Sequence, residues 1–447
     1  MTATPLKIGN ATLLTGECRN VMATLPDASV DAIVTDAPYG LSEEPDMLEV
    51  LRHWMAGDDY THATTGFMGK EWDSFVPGPA IWREAFRVLK PGGHLLCFGG
   101  TRTYDMVVLA IRLAGFEIRD QIDWIYGNGF PKNLNIERAI DCEVCTLPGR
   151  HFRTNLPDLH IRRPNDHICP PSVTGAEHTG KGTALKPAHE PIVVARKPLI
   201  GSVASNVRSH GTGALNIDAC RVGFASEADK AETTGKNKHS GRGRANNAVF
   251  GHGFNADTNY DAEARWPANI IHDGSDEIVA QFPANRPAAG GSAREKVGTD
   301  GNVFSPGITS GGQKIVRNDT GSAARFFYCA KASKRERDEG LTGPEKPVFW
   351  HQTGNGASGK PSSISAGRAT ALKNDHPTVK PVELMRYLIR LVASPGQIVL
   401  DPFMGSGSTG KAAALEGVDF IGIDMNPAYV EIAAGRIAFS QVEAAAE

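Results

Sequence analysis

The chain has 447 residues, which is long for one domain and short for three, and 40% of them are apolar, enough for a substantial core. It contains no run of 18 apolar residues and does not start with the apolar stretch of a signal peptide, so we expect a cytoplasmic protein without a membrane span. Its seven cysteines are an odd number spread over a long chain, which favours a reducing compartment over a disulfide scaffold.

The net charge of −3 is unevenly distributed along the chain. Residues 1–60 carry −7 and residues 400–447 carry −5, which leaves +9 for residues 61–399. A basic centre suits a polyanion such as nucleic acid, although chance and solubility would explain the same pattern.

The first 140 residues alternate between strand and helix patterns. Strands are predicted at 30–35, 94–98 and 117–126, and helices at 80–90 and 103–114. Pro91-Gly92-Gly93 is expected to end the first of these helices. Such alternation is typical of a parallel sheet covered by helices.

From about 141 to 370 this alternation is lost, and Gly, Asn, Ser, Pro and basic residues dominate. Apolar islands remain at 191–194, 266–271 and 326–330, so the segment is either a loop-rich second domain or partly disordered. Within it, the sequence GKNKHSGRGR has four cations and no acid. These cations are candidates for contacts with nucleic-acid phosphates: Lys236, Lys238, Arg242 and Arg244.

Two further groups in the centre have competing interpretations. Cys142-x2-Cys145 precedes several histidines and Cys169 at irregular spacing, so we expect cysteines packed at the base of the segment and no metal, with zinc as the alternative. Lys334 and Arg335 lie on a predicted helix that also carries acids, which suits either phosphate contact or a solvated mixed-charge face.

Order returns near the C-terminus, where helices are predicted at 382–393, 408–415 and 427–438 and strands at 397–400 and 419–423. Each ordered end is too small for a complete α/β domain, but together they make one. The predicted organisation is therefore two halves of one domain, 1–140 and 371–447, with an inserted segment at 141–370.

A glycine-rich turn links the last two predicted strands, in IVLDPFMGSGSTGKAAALEGVDFIGID at 398–424. Glycines let a ligand approach the backbone and the helix start, and an acid that ends the second strand suits a ribose diol. A phosphate loop would need a hydroxyl where Ala412 stands, a dinucleotide site has other glycine spacing, and a loop without ligand is a further alternative. The best fit is the cationic nucleoside S-adenosylmethionine, because Asp401 and the acidic ends complement its sulfonium and amino group.

Several motifs together resemble the amino-methyltransferases of DNA, which methylate the exocyclic nitrogen of adenine or cytosine. DAPY at 36–39 resembles their Asp-Pro-Pro-Tyr catalytic motif, DPFMGSGSTG their methionine-side cofactor motif, and HPTVKP at 376–381 the segment that closes over the cofactor. LKPGGHLLCFGG and WIYGNGFPKNLN resemble the walls of the target-base pocket, and GSAARFFYCAKASKRERDEGL looks like phage-type and orphan bacterial members.

The order of these motifs is that of the permuted beta group, in which the insert is the target recognition domain. The resemblance implies a doubly wound, mostly parallel, Rossmann-like α/β sheet, S-adenosyl-L-methionine as cofactor, double-stranded DNA as partner and a homodimer. Glu17 stands where the family has the aspartate that binds the adenine amino group of the cofactor. The implied cofactor residues are Glu17, Cys18, Asp36, His376, Pro377, Thr378, Lys380, Asp401, Pro402, Phe403, Gly405, Ser406, Gly407, Ser408, Thr409, Asp424, Met425 and Asn426.

The catalytic residues implied are Asp36, Ala37, Pro38 and Tyr39. An exocyclic amine is a poor nucleophile, so a catalyst must accept hydrogen bonds from both N–H groups and place the nitrogen in line with the methyl group. Asp36 and the Ala37 carbonyl can accept these bonds, and Tyr39 can stack on a flipped base. Ala37 replaces the usual proline, but Pro38 still biases Ala37 toward an extended conformation, so we expect an active enzyme.

The expected product is N6-methyladenine, because family members with Asp at the first motif position lean that way, whereas N4-cytosine enzymes more often carry Ser. The alternatives are an N4-cytosine enzyme, a protein or RNA methyltransferase, and a DNA-binding descendant without catalysis. Trp124 and Tyr126 are candidates for the base pocket, although a buried strand position explains Trp124 equally well. The chain shows no nuclease motif, so a cognate restriction enzyme is not evident, and we expect a nucleoid-associated protein in the cytoplasm.

Overall fold

The computed structural model describes residues 4–62, 71–127, 129, 133–145, 150–151, 166–167, 171–227, 229–230, 264–285, 321–330, 335–342, 346–348 and 370–444. No helix in these ranges is both long and apolar enough to cross a membrane.

The strands, in chain order, are β1 (Leu6–Ile8), β2 (Ala11–Thr15), β3 (Val30–Thr35), β4 (Leu89–Phe98), β5 (Glu117–Ile125), β6 (Arg150–His151), β7 (Asp166–His167), β8 (His189–Arg196), β9 (Val222–Gly223), β10 (Ala264–Arg265), β11 (Ile270–His272), β12 (Ala284–Asn285), β13 (Gly321–Ser322), β14 (Tyr328–Cys329), β15 (Lys346–Val348), β16 (Thr370–Leu372), β17 (Ile398–Asp401) and β18 (Asp419–Asp424). Ten of them form one sheet in the order β1-β2-β18-β17-β3-β4-β8-β5-β11-β14. The others pair as β6 with β7, β9 with β10, β12 with β13 and β15 with β16.

The sheet is mostly parallel. Strands β2, β18, β17, β3 and β4 run in one direction, and β5, β11 and β14 share it. Only β1 and β8 of this sheet run the opposite way. The C-terminal strand β17 lies beside the N-terminal strand β3, with Leu400 opposite Ile33. The predicted doubly wound sheet, built from both ends of the chain, is therefore confirmed.

Helices cover both faces of the sheet. They are α1 (Cys18–Met22), α2 (Met47–Ala56), α3 (Pro79–Val88), α4 (Tyr104–Leu113), α5 (Ile136–Val144), α6 (Val173–Ala176), α7 (Val203–His210), α8 (Asp276–Val279), α9 (Val382–Val392), α10 (Ser408–Leu415) and α11 (Pro427–Ala444), with short 3-10 turns at Glu71–Asp73, Asp218–Cys220, Ala323–Phe326 and Arg335–Arg337. Successive residues of β3 enter different cores: Ala32 belongs to the same buried cluster as Leu388 of α9, and Ile33 to the same cluster as Trp82 of α3. A central parallel strand buried on both faces explains the nearly unbroken apolar run there.

The prediction that Pro91-Gly92-Gly93 ends a helix is wrong. Pro91-Gly92-Gly93 lies inside β4, and α3 already ends at Val88. The pairing register of β4 with β3 shifts between Val30 and Ala32, which accommodates the extra residues as a bulge. Gly92 has φ of +76°, and a Cβ on Gly93 would lie 2.8 Å from the Asp31 carbonyl oxygen, so small residues fit this bulge.

The apolar islands of the centre also join the main sheet. The islands predicted at 191–194, 266–271 and 326–330 overlap β8, β11 and β14, respectively. That residues 141–370 form a target recognition insert, and that 1–140 and 371–447 form the catalytic domain, stays a prediction. The sheet itself extends across the boundary at 141.

Candidate active site

Polar residues from four neighbouring parallel strands meet at one edge of the sheet. Asp36 follows β3, Asp401 ends β17, Asp424 ends β18, and Glu17 comes two residues after β2. Because parallel strands end at the same edge, these four acids line one cavity of about 1,010 Å³. A cavity of this size accommodates a nucleoside-sized ligand with room beside it.

The glycine-rich turn after β17 is held by acids of the two adjoining strands. Asp401 Oδ1 accepts hydrogen bonds from the Thr35 hydroxyl (2.6 Å) and the Phe403 N–H (3.0 Å), while Oδ2 accepts one from the Thr409 hydroxyl (2.5 Å). Asp424 Oδ2 accepts from the Gly405 N–H at 2.9 Å. The turn therefore has a fixed shape before any ligand arrives.

The glycines of this turn are required by close contacts. Gly405 and Gly407 have φ of +53° and +80°, a region that favours glycine. A Cβ on Gly405 would lie 2.8 Å from His376 Nε2, and a Cβ on Gly407 would lie 2.7 Å from the Ala433 Cβ. Gly407 also precedes α10, so backbone N–H groups at that helix start face the cavity edge.

Burial changes the acidity of both strand-end acids. Desolvation raises the pKa of Asp401 to about 6, against the hydrogen bonds from Thr35 and Thr409 that lower it. Desolvation also raises the pKa of Asp424 to about 6. Both carboxyls are ionised at neutral pH at a cost, so a cation placed beside them is favoured.

The HPTVKP segment lies across the turn. His376 is buried and its ring contacts the Tyr429 ring edge-on, with centroids 4.5 Å apart. Burial lowers the pKa of His376 to about 4, so the imidazole is neutral at physiological pH. Arg337 fixes the same segment by donating hydrogen bonds to the backbone carbonyls of Asn374 and His376.

The loop that follows β3 is pinned at several points. Asp73 Oδ1 accepts hydrogen bonds of 2.9 Å from the N–H groups of both Tyr39 and Gly40, and the Thr103 hydroxyl donates to the Tyr39 carbonyl at 2.6 Å. Ala37 is 2% exposed and lies on the wall of the cavity. Pattern reasoning missed Asp73 and Thr103, because neither belongs to a motif.

Asp36 sits in a buried group of charges. Its Oδ2 lies 2.7 Å from Lys380 Nζ, which also lies 3.2 Å from Glu190 Oε2. The Tyr39 hydroxyl donates to the same Glu190 oxygen at 2.8 Å. Asp36 Oδ1 is buried, and the described part of the chain offers it no hydrogen-bond donor. An unpartnered acceptor of this kind beside a cavity is suited to bind an N–H group of a ligand.

The predicted site residues are brought together by the fold. All the implied catalytic and cofactor residues line the cavity except Gly407, whose turn packs against α11. Glu17 also caps α1, accepting from the N–H groups of Arg19 and Asn20 at 2.9 Å. Burial, with the nearby Glu17 charge, raises the pKa of the Cys18 thiol. Tyr126 lines the cavity as well, whereas Trp124 is a buried strand residue beside it.

The candidates for nucleic-acid contact lie almost entirely outside the part of the chain that the structure describes. Lys236, Lys238, Arg242, Arg244 and Lys334 lie outside the described residues, as does the side chain of Arg335. Charges just after Arg335 bind the protein itself: Glu336 accepts from the Val382 N–H at 2.5 Å, and Glu339 lies 2.6 Å from Lys411.

The phosphate-loop alternative is disfavoured by the position of Lys411. Its side chain is 2% exposed and pairs with Glu339 away from the cavity. The zinc alternative involved Cys142 and Cys145, whose side chains the structure describes. Within the described ranges, no cluster of three metal-ligating side chains occurs.

The fold is that of a Rossmann-like α/β protein with a cavity at the carboxyl edge of its sheet. A model of the N6/N4 methyltransferase family, described as DNA methylase, matches residues 30–435. This chain belongs to that DNA methylase family.

Two curated relatives are similar over short segments. The chain is 44% identical over 63 residues to DNA adenine methyltransferase YhdJ of Escherichia coli K12, and 45% identical over 62 residues to type II methyltransferase M.XycI of Xanthomonas campestris pv. cyanopsidis. Each match covers 14% of this chain and 21% of the relative, about a fifth of its length. The solved PvuII DNA methyltransferase (cytosine-N4-specific) aligns over 96% of this chain and 87% of its own, with 11% identity and a TM-score of 0.39.

Proposed function

We propose that this protein transfers a methyl group from S-adenosyl-L-methionine to the exocyclic amine of a flipped base in double-stranded DNA, with N6 of adenine as the acceptor. The observation that carries this proposal is the buried Oδ1 of Asp36, which accepts no hydrogen bond from any described residue and lies in the same cavity as the glycine turn. One end of the cavity is built for a nucleoside, and the other presents an acceptor for an amine. Membership of the DNA methylase family supports the reaction class.

The residues present fit the cofactor. Gly405 leaves the turn open beside His376, and Asp401 and Asp424 place two carboxylates beneath it, which favours a ligand that is positive at sulfur and at its amino group. Asp424 and Glu17 are assigned to the ribose and adenine end. When bound, S-adenosylmethionine supplies an electrophilic methyl group. His376 packs over Gly405 and helps to exclude water from this end.

On the base side, the chain prepares the amine. Asp36 Oδ1 accepts one amine N–H and the Ala37 carbonyl accepts the other, which pulls the nitrogen toward tetrahedral geometry. Tyr39 is held by Asp73 and Glu190 at the position where its ring can stack on the base. Asp36 would take the proton that the amine releases on accepting the methyl group of bound S-adenosylmethionine, whose sulfur would leave as a neutral thioether.

The choice of adenine rests on Asp36 at the first motif position, and the relative named DNA adenine methyltransferase supports it over a short segment. The test is nucleoside mass spectrometry of DNA from a host that expresses the protein, compared with Asp36→Ala. We expect N6-methyladenine only with the wild-type chain. N4-methylcytosine alone would overturn the adenine assignment, and methylation-aware sequencing of the same DNA would give the recognition site.

Duplex DNA is proposed as the partner over protein or RNA because of the basic central segment. The proposed phosphate contacts are Lys236, Lys238, Arg242, Arg244, Lys334 and Arg335. The protein is proposed to act as a homodimer on the nucleoid. No restriction partner is assigned. Labelled methyl incorporation into duplex DNA, RNA and protein extract distinguishes the substrates. Incorporation into RNA or protein alone would reject the DNA proposal, and equal, minimal incorporation by wild type and Asp36→Ala would favour a binding module.

A further inference from the structure

Glu190 reaches the cavity because of the direction of its strand. It is the second residue of β8, which runs antiparallel to its neighbours β4 and β5, and it lies opposite Trp124. The start of an antiparallel strand lies at the same edge as the ends of the parallel strands around it. Glu190 is thereby placed beside Asp36, although it belongs to none of the motifs.

Glu190 and Asp36 share one ammonium. Lys380 Nζ is 2.7 Å from Asp36 Oδ2 and 3.2 Å from Glu190 Oε2, and the Lys380 side chain is 7% exposed. The same ammonium lies 4.9 Å from the centre of the Phe98 ring and 5.2 Å from that of Tyr39. This group of one buried ammonium and two partly buried carboxylates therefore has a formal net charge of −1.

The charges of this group depend on one another. Burial opposes the charge on Lys380, but the carboxylates of Asp36 and Glu190 raise its pKa above the ordinary value. Burial, then the charges of Asp36 and Glu190, raise the pKa of Tyr39, and burial and Glu190 raise that of Tyr126. Both tyrosines are thus neutral, and the remaining negative charge is available on the carboxylates.

We propose that Glu190 is a positioning residue for methyl transfer, which holds the Lys380 ammonium between itself and Asp36. Because the Lys380 ammonium is also paired with Glu190, it neutralises the charge of Asp36 less completely. Oδ1 of Asp36 therefore stays free to accept a hydrogen bond from the amine. Glu190 also fixes the Tyr39 hydroxyl. This inference rests on the proposed function, and it gives a role to a residue of the central segment, whose residues 183–189 also line the cavity.

The test compares Glu190→Gln, Glu190→Asp and the control Glu117→Gln. Glu117 pairs with Arg196 at the other end of the β5–β8 ladder, outside the cavity lining. In methyl transfer to duplex DNA, we expect Glu190→Gln to lower kcat by about tenfold, which corresponds to one pKa unit of lost interaction, with little change in KM. Glu190→Asp should restore part of kcat, and Glu117→Gln should behave as wild type.

The pH profile separates positioning from a merely structural role. Without the Glu190 charge, the pKa of Lys380 falls, so the alkaline limb of kcat should move to lower pH in Glu190→Gln but not in Glu190→Asp. A profile scaled down equally at every pH, or an unchanged kcat, would overturn the inference.

A second measurement does not require turnover. Acetic anhydride labelling of Lys380 at one alkaline pH, followed by mass spectrometry, should rise in Glu190→Gln relative to wild type, with the exposed Lys7 as internal reference. Equal labelling would reject the shared ammonium. If wild type transfers no methyl group while the labelling differs, the proposed function fails and the charge arrangement stands.

Discussion

The hydroxyl of Thr35 donates a hydrogen bond of 2.6 Å to Oδ1 of Asp401, across 366 positions of sequence. Both residues are buried at the ends of neighbouring strands, β3 and β17. Thr35 immediately precedes Asp36, and Asp401 anchors the glycine turn through Thr409 and Phe403. The proposed base side and cofactor side are therefore joined by one buried bond, which sets their spacing.

Replacing Asp36 by asparagine should abolish most of the activity while leaving binding in place. The amide keeps the shape of the side chain but cannot take the amine proton, so kcat should fall roughly 100- to 10,000-fold. Labelled methyl incorporation and fluorescence measurements of DNA and cofactor affinity check this. Asp105→Asn, on the exposed side of α4, is the matched control; retention of more than a tenth of kcat in Asp36→Asn would argue against its role.

Cofactor affinity should weaken as the pH falls through about 6. Asp401 and Asp424 each have a pKa raised by burial to about 6, so below this pH they lose the charge that attracts a cationic ligand. His376 does not titrate in this window, since burial lowers its pKa to about 4. Calorimetry between pH 5 and 8 should show tightening toward neutrality, with a flatter dependence in Asp424→Asn.

The same two carboxyls predict the opposite trend for the unliganded protein. A folded pKa above the unfolded value means that the native state binds more protons between about pH 4 and 6. Their contribution to stability is therefore present at low pH and is lost as the pH rises through about 6. Chemical denaturation of wild type and Asp401→Asn across this range isolates the contribution; parallel curves for the two proteins would contradict it.

The ion pair beneath the glycine turn should matter for folding. Lys411 is 2% exposed and 2.6 Å from Glu339, so Glu339→Gln leaves a buried ammonium without its carboxylate and should destabilise the protein by about 3 kcal/mol. In Lys411→Met, the further change Glu339→Gln should cost little, because no buried charge remains. A double-mutant cycle by urea denaturation measures this; additive effects would show that the pair is not coupled.

Restoring the usual proline should not improve the protein. Ala37 is 2% exposed, and Ala37→Pro removes its backbone N–H, so stability should fall by about 1 kcal/mol. Since Pro38 already biases residue 37 toward an extended conformation, kcat of the folded protein should change only a few-fold. Thermal melts and turnover assays check both parts. A gain of tenfold in kcat would show that the alanine costs rate.

Sequence patterns predicted the parts of the fold with long periodic runs. The glycine turn was recognisable because strand, turn, helix and strand follow one another within 27 residues, 398–424. The short strands were not: β11 has three residues and β14 has two, too few to show a period of two. The island at 191–194 was visible, but its sheet partners β4 and β5 lie far away in sequence.

The candidate site likewise combines residues that sequence motifs predict with residues that only the fold brings in. Asp36 and Asp401 belong to motifs whose chemistry can be read locally, whereas Glu190 depends on the direction of β8. Lys334 and Arg335 suggested a phosphate contact or a solvated mixed-charge face, yet the acids that follow them, Glu336 and Glu339, bind residues 46 and 72 positions further on. Long-range pairing of this kind leaves no local periodicity.

The strand order also constrains how the protein is made. Strands β17 and β18 lie between β2 and β3, and β17 starts at Ile398, long after β3 ends at Thr35. At about 5–20 residues per second, the ribosome needs roughly 20 to 80 s to deliver the missing strands. During that time β2 and β3 present unpaired backbone on their facing edges. Rapid overexpression should therefore favour aggregation of nascent chains, and a chaperone that shields the N-terminal strands should raise the yield of native protein.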